Sequence, residues 1–231
     1  MWTARVFTLY PDIFPGPLRK GLYGKAFEKK VWNLEVVNIR DYANDKHKTV
    51  DDTPFGGGSG MLLKPDILAK SLDINTKPGE RIFYLSPKGK KFDQETAKDL
   101  SKENTINLVC GHFEGVDERI LQTRKIEEIS IGDYILSGGE SASFVIIDSV
   151  LRLLPGVLGN NTSKEEESFE NGLLEYPQYT KPQIWEKKTV PEVLLSGDHG
   201  KIKDWRLSQS KDITRRRRPD LWKKYLDKDK K

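Results

Sequence analysis

Three glycine-bounded segments carry residue types suited to binding a small molecule. The first runs from Asp41 to Met61. It holds Lys46, His47 and Lys48, then Asp51 and Asp52, then Gly56, Gly57, Gly58, Ser59 and Gly60. Glycines let a backbone approach a ligand closely and adopt positive φ. No Lys-Ser or Lys-Thr follows them, so this is no Walker loop; Met61 stands at the last glycine position counted from Gly56, so it is no dinucleotide fingerprint. The stretch reads as a flexible surface loop or as a binding loop, and its density of glycine and charge favours binding. The second segment, Leu108–Ile120, is a strand that ends in a turn bounded by Gly111 and Gly115 and leads into a helix. Ligands of open α/β sheets gather at the carboxyl ends of strands, where Glu114 falls. Asp117 and Glu118 read as acids that favour a helix N-terminus. The third, Ile129–Glu140, repeats the pattern with Gly132, Gly138 and Gly139. Backbone groups freed there could hydrogen-bond a purine edge, with Tyr134 and Leu136 as walls.

These turns need a sheet to hold them. Ala4–Leu9, Leu34–Ile39, Arg81–Leu85, Thr105–Cys110 and Ile126–Ile131 read as strands, and the compact apolar run at Thr105–Cys110 suits a strand buried on both faces. Leu18–Lys30, Asp93–Lys102 (capped by Asp93), Val116–Thr123 and Ser141–Leu154 read as helices, the last stopped by Pro155-Gly156. The alternation predicts an α/β domain with a mainly parallel sheet over 1–159. A polar, acidic linker is expected over 160–172. A small, largely helical domain is expected over 173–231, with short helices at Val193–Ser196, Lys201–Lys211 and Asp220–Leu226.

Composition narrows the class. The 231 residues carry 39 Lys and Arg against 35 Asp and Glu, a net charge of +4, with 36% hydrophobic residues, as expected of a folded soluble chain. No charge-free stretch exceeds eleven residues, too few for a membrane span. Cys110 is the only cysteine and there are three histidines, so a thiolate or His-rich metal site is not expected. These features, with no secretion signal at the N-terminus, predict a cytoplasmic protein. The charge is concentrated: residues 211–231 carry net +6, including Arg215, Arg216, Arg217 and Arg218 and, just beyond, Trp222, Lys223, Lys224 and Tyr225. Basic residues interleaved with aromatics suit a polyanion such as nucleic acid; a solvated basic tail is the other reading.

At these segments the chain resembles the bacterial tRNA (guanine-N1)-methyltransferases, the TrmD family of SPOUT methyltransferases. The resemblance runs nearly end to end. It includes Asp45–Asp52 with Gly56–Met61, Leu85–Pro87, Cys110–Arg119, Ser130–Glu140, Arg152–Gly159, Glu167–Phe169, Gly172–Pro182, Leu195–His199 and Trp205–Ser210. It implies an α/β fold with a deep trefoil knot and a small helical C-terminal domain. It also implies a homodimer whose active site lies at the subunit interface, with S-adenosyl-L-methionine as methyl donor and magnesium as a further requirement. The family's cofactor positions fall on Tyr84, Leu85, Ser86, Pro87, Gly111, Glu114, Ile131, Gly132, Asp133, Tyr134, Ile135, Leu136, Gly138 and Gly139. Glu114 is also the candidate metal ligand. The resemblance puts the base at Glu167 and a cationic partner for O6 at Arg152. Substrate contacts fall on Asp51, Asp52, Gly56, Gly57, Gly58, Ser59 and Gly60. The four arginines from Arg215 to Arg218 become candidates for the backbone of the tRNA anticodon stem-loop. The implied product is 1-methylguanosine just 3′ of the anticodon. His112-Phe113 stands where the family usually has Arg-Tyr, and Glu167 where many members have Asp. A non-catalytic RNA-binding protein and a ribose 2′-O-methyltransferase of the same superfamily are the alternatives.

Overall fold

A computed structural model describes residues 1–158, 167–169 and 171–228. The chain divides into two compact units, Met1–Gly159 and Asn160–Lys231. In the first, β1 (Trp2–Thr8), β2 (Trp32–Asn38), β5 (Arg81–Lys91), β6 (Thr105–Val109) and β7 (Glu127–Ser130) form one sheet in the order β2-β1-β6-β5-β7. Every pairing in it is parallel. Between the strands come α1 (Gly21–Glu28), α2 (Pro65–Asn75), α3 (Gln94–Leu100) and α4 (Glu118–Thr123), and α5 (Glu140–Leu151) follows β7. A second, two-stranded sheet joins β3 (Asp51–Asp52) to β4 (Leu62–Leu63).

The period of two along β1 builds two cores. Trp2, Ala4 and Val6 join one cluster with residues of α1, α3 and α5, while Phe7 joins the other with Ile67, Leu68 and Leu72 of α2 and Ile120 and Leu121 of α4. Coverage on both faces explains why β1 and β6 read as nearly continuous apolar runs. Arg5 interrupts the run and is buried. Its guanidinium donates to Glu35 at 2.7 Å, Glu80 at 2.7 Å and Asn107 at 2.8 Å. Burial alone would lower its pKa; the bonds from Glu35 and Glu80 outweigh that and raise it. Since Arg5 pairs in register with both Glu35 and Asn107, this cluster locks three neighbouring strands.

The expected strands and helices of this unit are present with ends shifted by up to three residues, except at β5. That strand was expected to stop at Leu85 and runs on to Lys91. Ile129 of β7 pairs first with Leu85 and again with Lys90, so the four residues between, Ser86–Gly89, are extruded from the ladder. The Asp93 carboxylate accepts from the Thr96 amide, as a cap should. No element was expected between Met61 and Glu80, yet α2 lies there. Its signal was present in Pro65 at the first turn and in Ile67, Leu68 and Leu72 at helical spacing.

In the second unit, residues 160–166 and 170 of the expected linker lie outside the described residues. The Phe169 amide donates to the Leu173 carbonyl at 2.8 Å and the Glu175 amide to Ser168 Oγ at 2.9 Å, so the described part is a hydrogen-bonded turn. A hairpin of β8 (Ile184–Trp185) and β9 (Lys188–Thr189) follows, which the sequence did not announce. Then come α6 (His199–Arg217) and α7 (Pro219–Lys228), both longer than expected. Thr214 Oγ1 accepts from the Leu174 amide at 2.8 Å and ties α6 to the preceding segment. No described helix is long and apolar enough to cross a membrane.

The extruded loop depends on Gly89. A Cβ there would lie 2.3 Å from the Ile129 amide nitrogen, a contact only backbone movement relieves. Gly89→Ala is expected to destabilise the protein by about 1–3 kcal/mol, seen as a lower urea midpoint with an unchanged m-value.

Candidate functional site

The extruded stretch of β5 and the carboxyl ends of β6 and β7 are neighbours in the sheet, so three turns emerge together. Each turns back because of local chemistry. In the extruded stretch of β5, Ser86 Oγ accepts from the Lys88 amide at 3.2 Å. After β6, Phe113 and Gly115 take positive φ, and the Gly115 amide donates to the His112 carbonyl at 3.1 Å. After β7, the Tyr134 amide returns to the Gly132 carbonyl at 3.0 Å. The three turns enclose a cavity of about 250 Å³.

Backbone forms much of its wall. The Gly139 amide donates to the Gly111 carbonyl at 3.0 Å, and a Cβ on Gly139 would sit 2.6 Å from Cys110 Cα. A Cβ on Gly111 would lie 2.5 Å from the Tyr84 ring, and one on Gly138 would lie 2.3 Å from His112 Cε1. Only glycine allows the three turns to close to this distance. The Tyr84 phenol is pushed up to about 12, by burial first and then by Glu128, so it stays protonated at neutral pH.

The wall holds Tyr84, Leu85, Ser86, Pro87, Gly111, Glu114, Ile131, Gly132, Tyr134, Ile135, Leu136, Gly138 and Gly139. Asp133 is not part of it. Its side chain is 93% exposed and stands 3.7 Å from Lys91 Nζ, because Gly132 and Tyr134 bend the turn so that the intervening side chain points away.

Other wall residues had no role from sequence: Gly115, Ile129, Ser130, Ser137 and Ala142, with His112 and Phe113 noted only as departures from the family. Beneath the wall lies Glu140, the first residue of α5, which sequence reasoning missed. It is 5% exposed. Its Oε1 accepts from Thr8 Oγ1 at 2.5 Å, and its Oε2 lies 2.8 Å from His112 Nε2. One carboxylate thereby joins the ends of β1 and β6 to the start of α5. The signal was an acid directly after Gly138-Gly139, at a position where the helix dipole favours negative charge.

The first glycine loop meets the same turn. The Glu114 amide donates to the Met61 carbonyl, and the Leu63 amide to the Gly115 carbonyl, both at 2.9 Å. A Cβ on Gly60 would lie 2.3 Å from Glu114 Cγ. Asp51 and Asp52 form β3 and pair with β4, while Gly56, Gly57, Gly58 and Ser59 are exposed in the loop that joins the two strands. Among the described residues, no group of three His, Cys, Asp or Glu side chains could hold a metal ion. A second cavity, of about 280 Å³, is edged by Arg81, Asp99 and Glu127. These groups already satisfy one another, with Arg81 bonded to Asp99 at 2.8 Å and to Glu127 at 2.9 Å.

Arg152 caps the C-terminus of α5, with its amide bonded to the Asp148 carbonyl at 3.2 Å. It adjoins a Tyr23–Asp148 hydrogen bond of 2.8 Å. Burial and Asp148 push the Tyr23 hydroxyl pKa up, and the Arg152 guanidinium partly offsets them. Glu167 lies half-buried in the turn of the second unit. The four arginines are not equivalent. Arg215, Arg216 and Arg217 are exposed on the last turn of α6, with Arg216 bonded to Asp212 at 2.7 Å. Arg218 sits at the corner between α6 and α7 and grips Asp220 at 2.9 and 2.6 Å, which holds that carboxyl down at about 2.

Removal of the buried carboxylate leaves the Thr8 hydroxyl and the His112 ring without their partner. Glu140→Ala is expected to destabilise the first unit by about 1–3 kcal/mol, measured by chemical denaturation.

Comparison with known proteins agrees with this geometry. Residues 1–224 match the family model for tRNA (Guanine-1)-methyltransferase TrmD. A tRNA (guanine-N(1)-)-methyltransferase of Pelagibacter ubique (strain HTCC1062) is 79% identical over 225 residues, which cover 97% of this chain and 99% of that protein. The proteins of the same name from Bartonella tribocorum and Rhodospirillum rubrum are 56% and 51% identical; each alignment covers 96% of this chain, and 95% and 93% of the relative. A match of this extent, over a chain in which two glycine turns and the extruded stretch of β5 close on one cavity, shows that the protein belongs to the TrmD family of tRNA (guanine-1)-methyltransferases.

Proposed function

We propose that this protein transfers a methyl group from S-adenosyl-L-methionine to N1 of the guanosine just 3′ of the anticodon (tRNA position 37), forming 1-methylguanosine. The observation that carries this reading is the cavity where the extruded stretch of β5 and the turns after β6 and β7 meet, in a chain of this family. The residues fit the donor. Gly111, Gly138 and Gly139 form a cradle that any Cβ would obstruct. Ile131, Tyr134, Ile135 and Leu136 offer apolar surface beside the main chain of the turn for an adenine, and Glu114 offers a carboxylate. When bound, S-adenosyl-L-methionine supplies an electrophilic methyl group on a positively charged sulfur.

The protein's own task is to make N1 a nucleophile. Guanine N1 carries a proton at neutral pH, and its removal pushes negative charge toward O6. In this reading the Glu167 carboxylate accepts the N1 proton as the new N–CH3 bond forms. The Arg152 guanidinium, always charged, holds O6. Asp51, Asp52 and the Gly56–Gly60 loop hold the guanosine, and Arg215, Arg216 and Arg217 meet the tRNA phosphates. The described residues do not build a magnesium site: Glu114 is a lone carboxylate in the wall, and no step here passes through the metal.

The reading includes a homodimer with the active site at its interface, a knotted path and a cytoplasmic setting. Support for the dimer comes from the exposed apolar rim at Phe113, Tyr134, Ile135 and Leu136. Support for the knot comes from the strand order. The chain leaves β6 on the inner side of β5, forms β7 on its outer side, and returns to Gly111 through the Gly139 amide.

A methyl-transfer assay on transcribed tRNA, with guanosine or adenosine at the target position, tests the whole; transfer to both or to neither overturns it. Glu167→Ala is expected to slow single-turnover transfer by at least about a hundredfold, and Arg152→Ala by about a hundred- to a thousandfold, with cofactor affinity unchanged by calorimetry. Replacing Arg215 and Arg217 by Gln should reduce the salt dependence of tRNA binding, a log–log slope, by about one to two. Arg218→Gln should leave that slope nearly unchanged, because its charge is already engaged by Asp220.

A further inference from the structure

We propose that Phe55 is a stacking platform for a base of the tRNA anticodon loop, carried at the rim of the cavity by the glycine loop. The proposal rests on the methyltransferase reading and adds a residue to its substrate side.

A lone exposed apolar side chain is ordinary on a protein surface. The position of Phe55 is not. Its side chain is 99% exposed, more than any other large hydrophobic among the described residues. Both feet of its loop are fixed. On one side Asp51 and Asp52 pair with Leu62 and Leu63, and the Lys64 amide donates to the Val50 carbonyl at 2.8 Å. On the other, the Met61 carbonyl accepts from the amide of Glu114, a residue of the cavity wall. The loop therefore springs from the rim. Between its feet Gly56, Gly57, Gly58 and Gly60 all take positive φ, and the Gly57 amide closes a turn onto the Pro54 carbonyl at 3.3 Å around Phe55. Cβ atoms built on Gly56, Gly57 and Gly58 would meet nothing within 4 Å. Backbone shape holds the ring outward, and no neighbour receives it.

The surroundings select the partner. Asp52, Thr53 and Ser59 are exposed next to the ring in sequence, and Lys46 and His47 are exposed at the entry to the loop. A lipid or an apolar protein patch would bury these polar groups without partners, at a penalty. A nucleobase instead has a π face for the ring and a polar edge for the carboxylate and hydroxyls. Aromatic stacking is a general device for holding bases of single-stranded RNA. A guanosine that enters the cavity must also leave its own stack. Phe55 offers a replacement face at the entrance.

The test compares F55A, F55L, F55Y and F55W in the full-length protein, reading kcat/KM for tRNA, Kd for S-adenosyl-L-methionine and oligomeric state. F55A and F55L are expected to lose about ten- to a hundredfold in kcat/KM for tRNA, with F55Y and F55W within about threefold of wild type and cofactor affinity unchanged in all four. Wild-type kinetics in F55A overturns the proposal, and so does rescue by F55L, which keeps bulk but not the ring. A loss that follows a changed oligomeric state also overturns it and assigns the ring to a contact between two copies. If the wild-type protein methylates no tRNA, the underlying reading fails. Binding of the anticodon stem-loop by the same variants then decides the stacking by the same pattern.

Discussion

Contact of backbone on backbone at Gly139 makes the rest of the site possible. Its amide reaches the Gly111 carbonyl, and its α-carbon rests where even a methyl group would strike Cys110. That approach draws the chain leaving β7 down onto the chain leaving β6, and α5 starts there. The helix then presents Glu140 to Thr8 and His112 because its first turn has no other place to stand. Relaxing the contact by even an ångström would open the cavity floor and separate the carboxylate from both partners.

The sheet carries one buried polar cluster at mid-strand and another at the strand exits. Arg5, with Glu35, Glu80 and Asn107, ties β1 to β2, β6 and the entry of β5. Glu140 ties the exits of β1 and β6 to α5. Buried ionised groups are poor sources of stability, since desolvation offsets most of what pairing returns. Here each bonds across elements distant in sequence. Their contribution is alignment: a slipped strand would leave one of them without partners in an apolar interior. In this protein the polar clusters fix the register, and the apolar faces supply the bulk of the free energy.

Much of the fold was legible because its signals are local. β1 and β6 are apolar runs, α5 has helical spacing and a Pro-Gly stop, and Asp93 caps α3. The turns after β6 and β7 were legible from glycines that follow strand-like segments; the extruded stretch of β5 that lines the same cavity was known only through the family resemblance, and the glycine loop of residues 41–61 meets the wall at Glu114 without being part of it. What escaped depends on partners far along the chain. Arg5 reads as an interruption until Glu80 and Asn107 are beside it. Glu140 reads as a dipole acid until Thr8 and His112 reach it. The extrusion of Ser86–Gly89 is a fact about pairing with Ile129, which no local pattern encodes. The four arginines formed one basic run in the sequence, yet a helix corner sets Arg218 apart from the other three. The roles of Glu167 and Arg152 came from family resemblance alone, since an acid in a polar stretch and a cation at a helix end have ordinary explanations.

A wall made of main chain also constrains how the site can vary. A compound resting against Gly111, Gly138 and Gly139 would touch surface that no single amino-acid exchange can reshape without a collision with Tyr84, His112 or Cys110. Escape from such an inhibitor would have to come from the exposed side of the pocket, at Tyr134, Ile135 or Leu136, where side chains are free to change. Selective pressure on this enzyme would therefore leave its marks at the mouth and spare the floor.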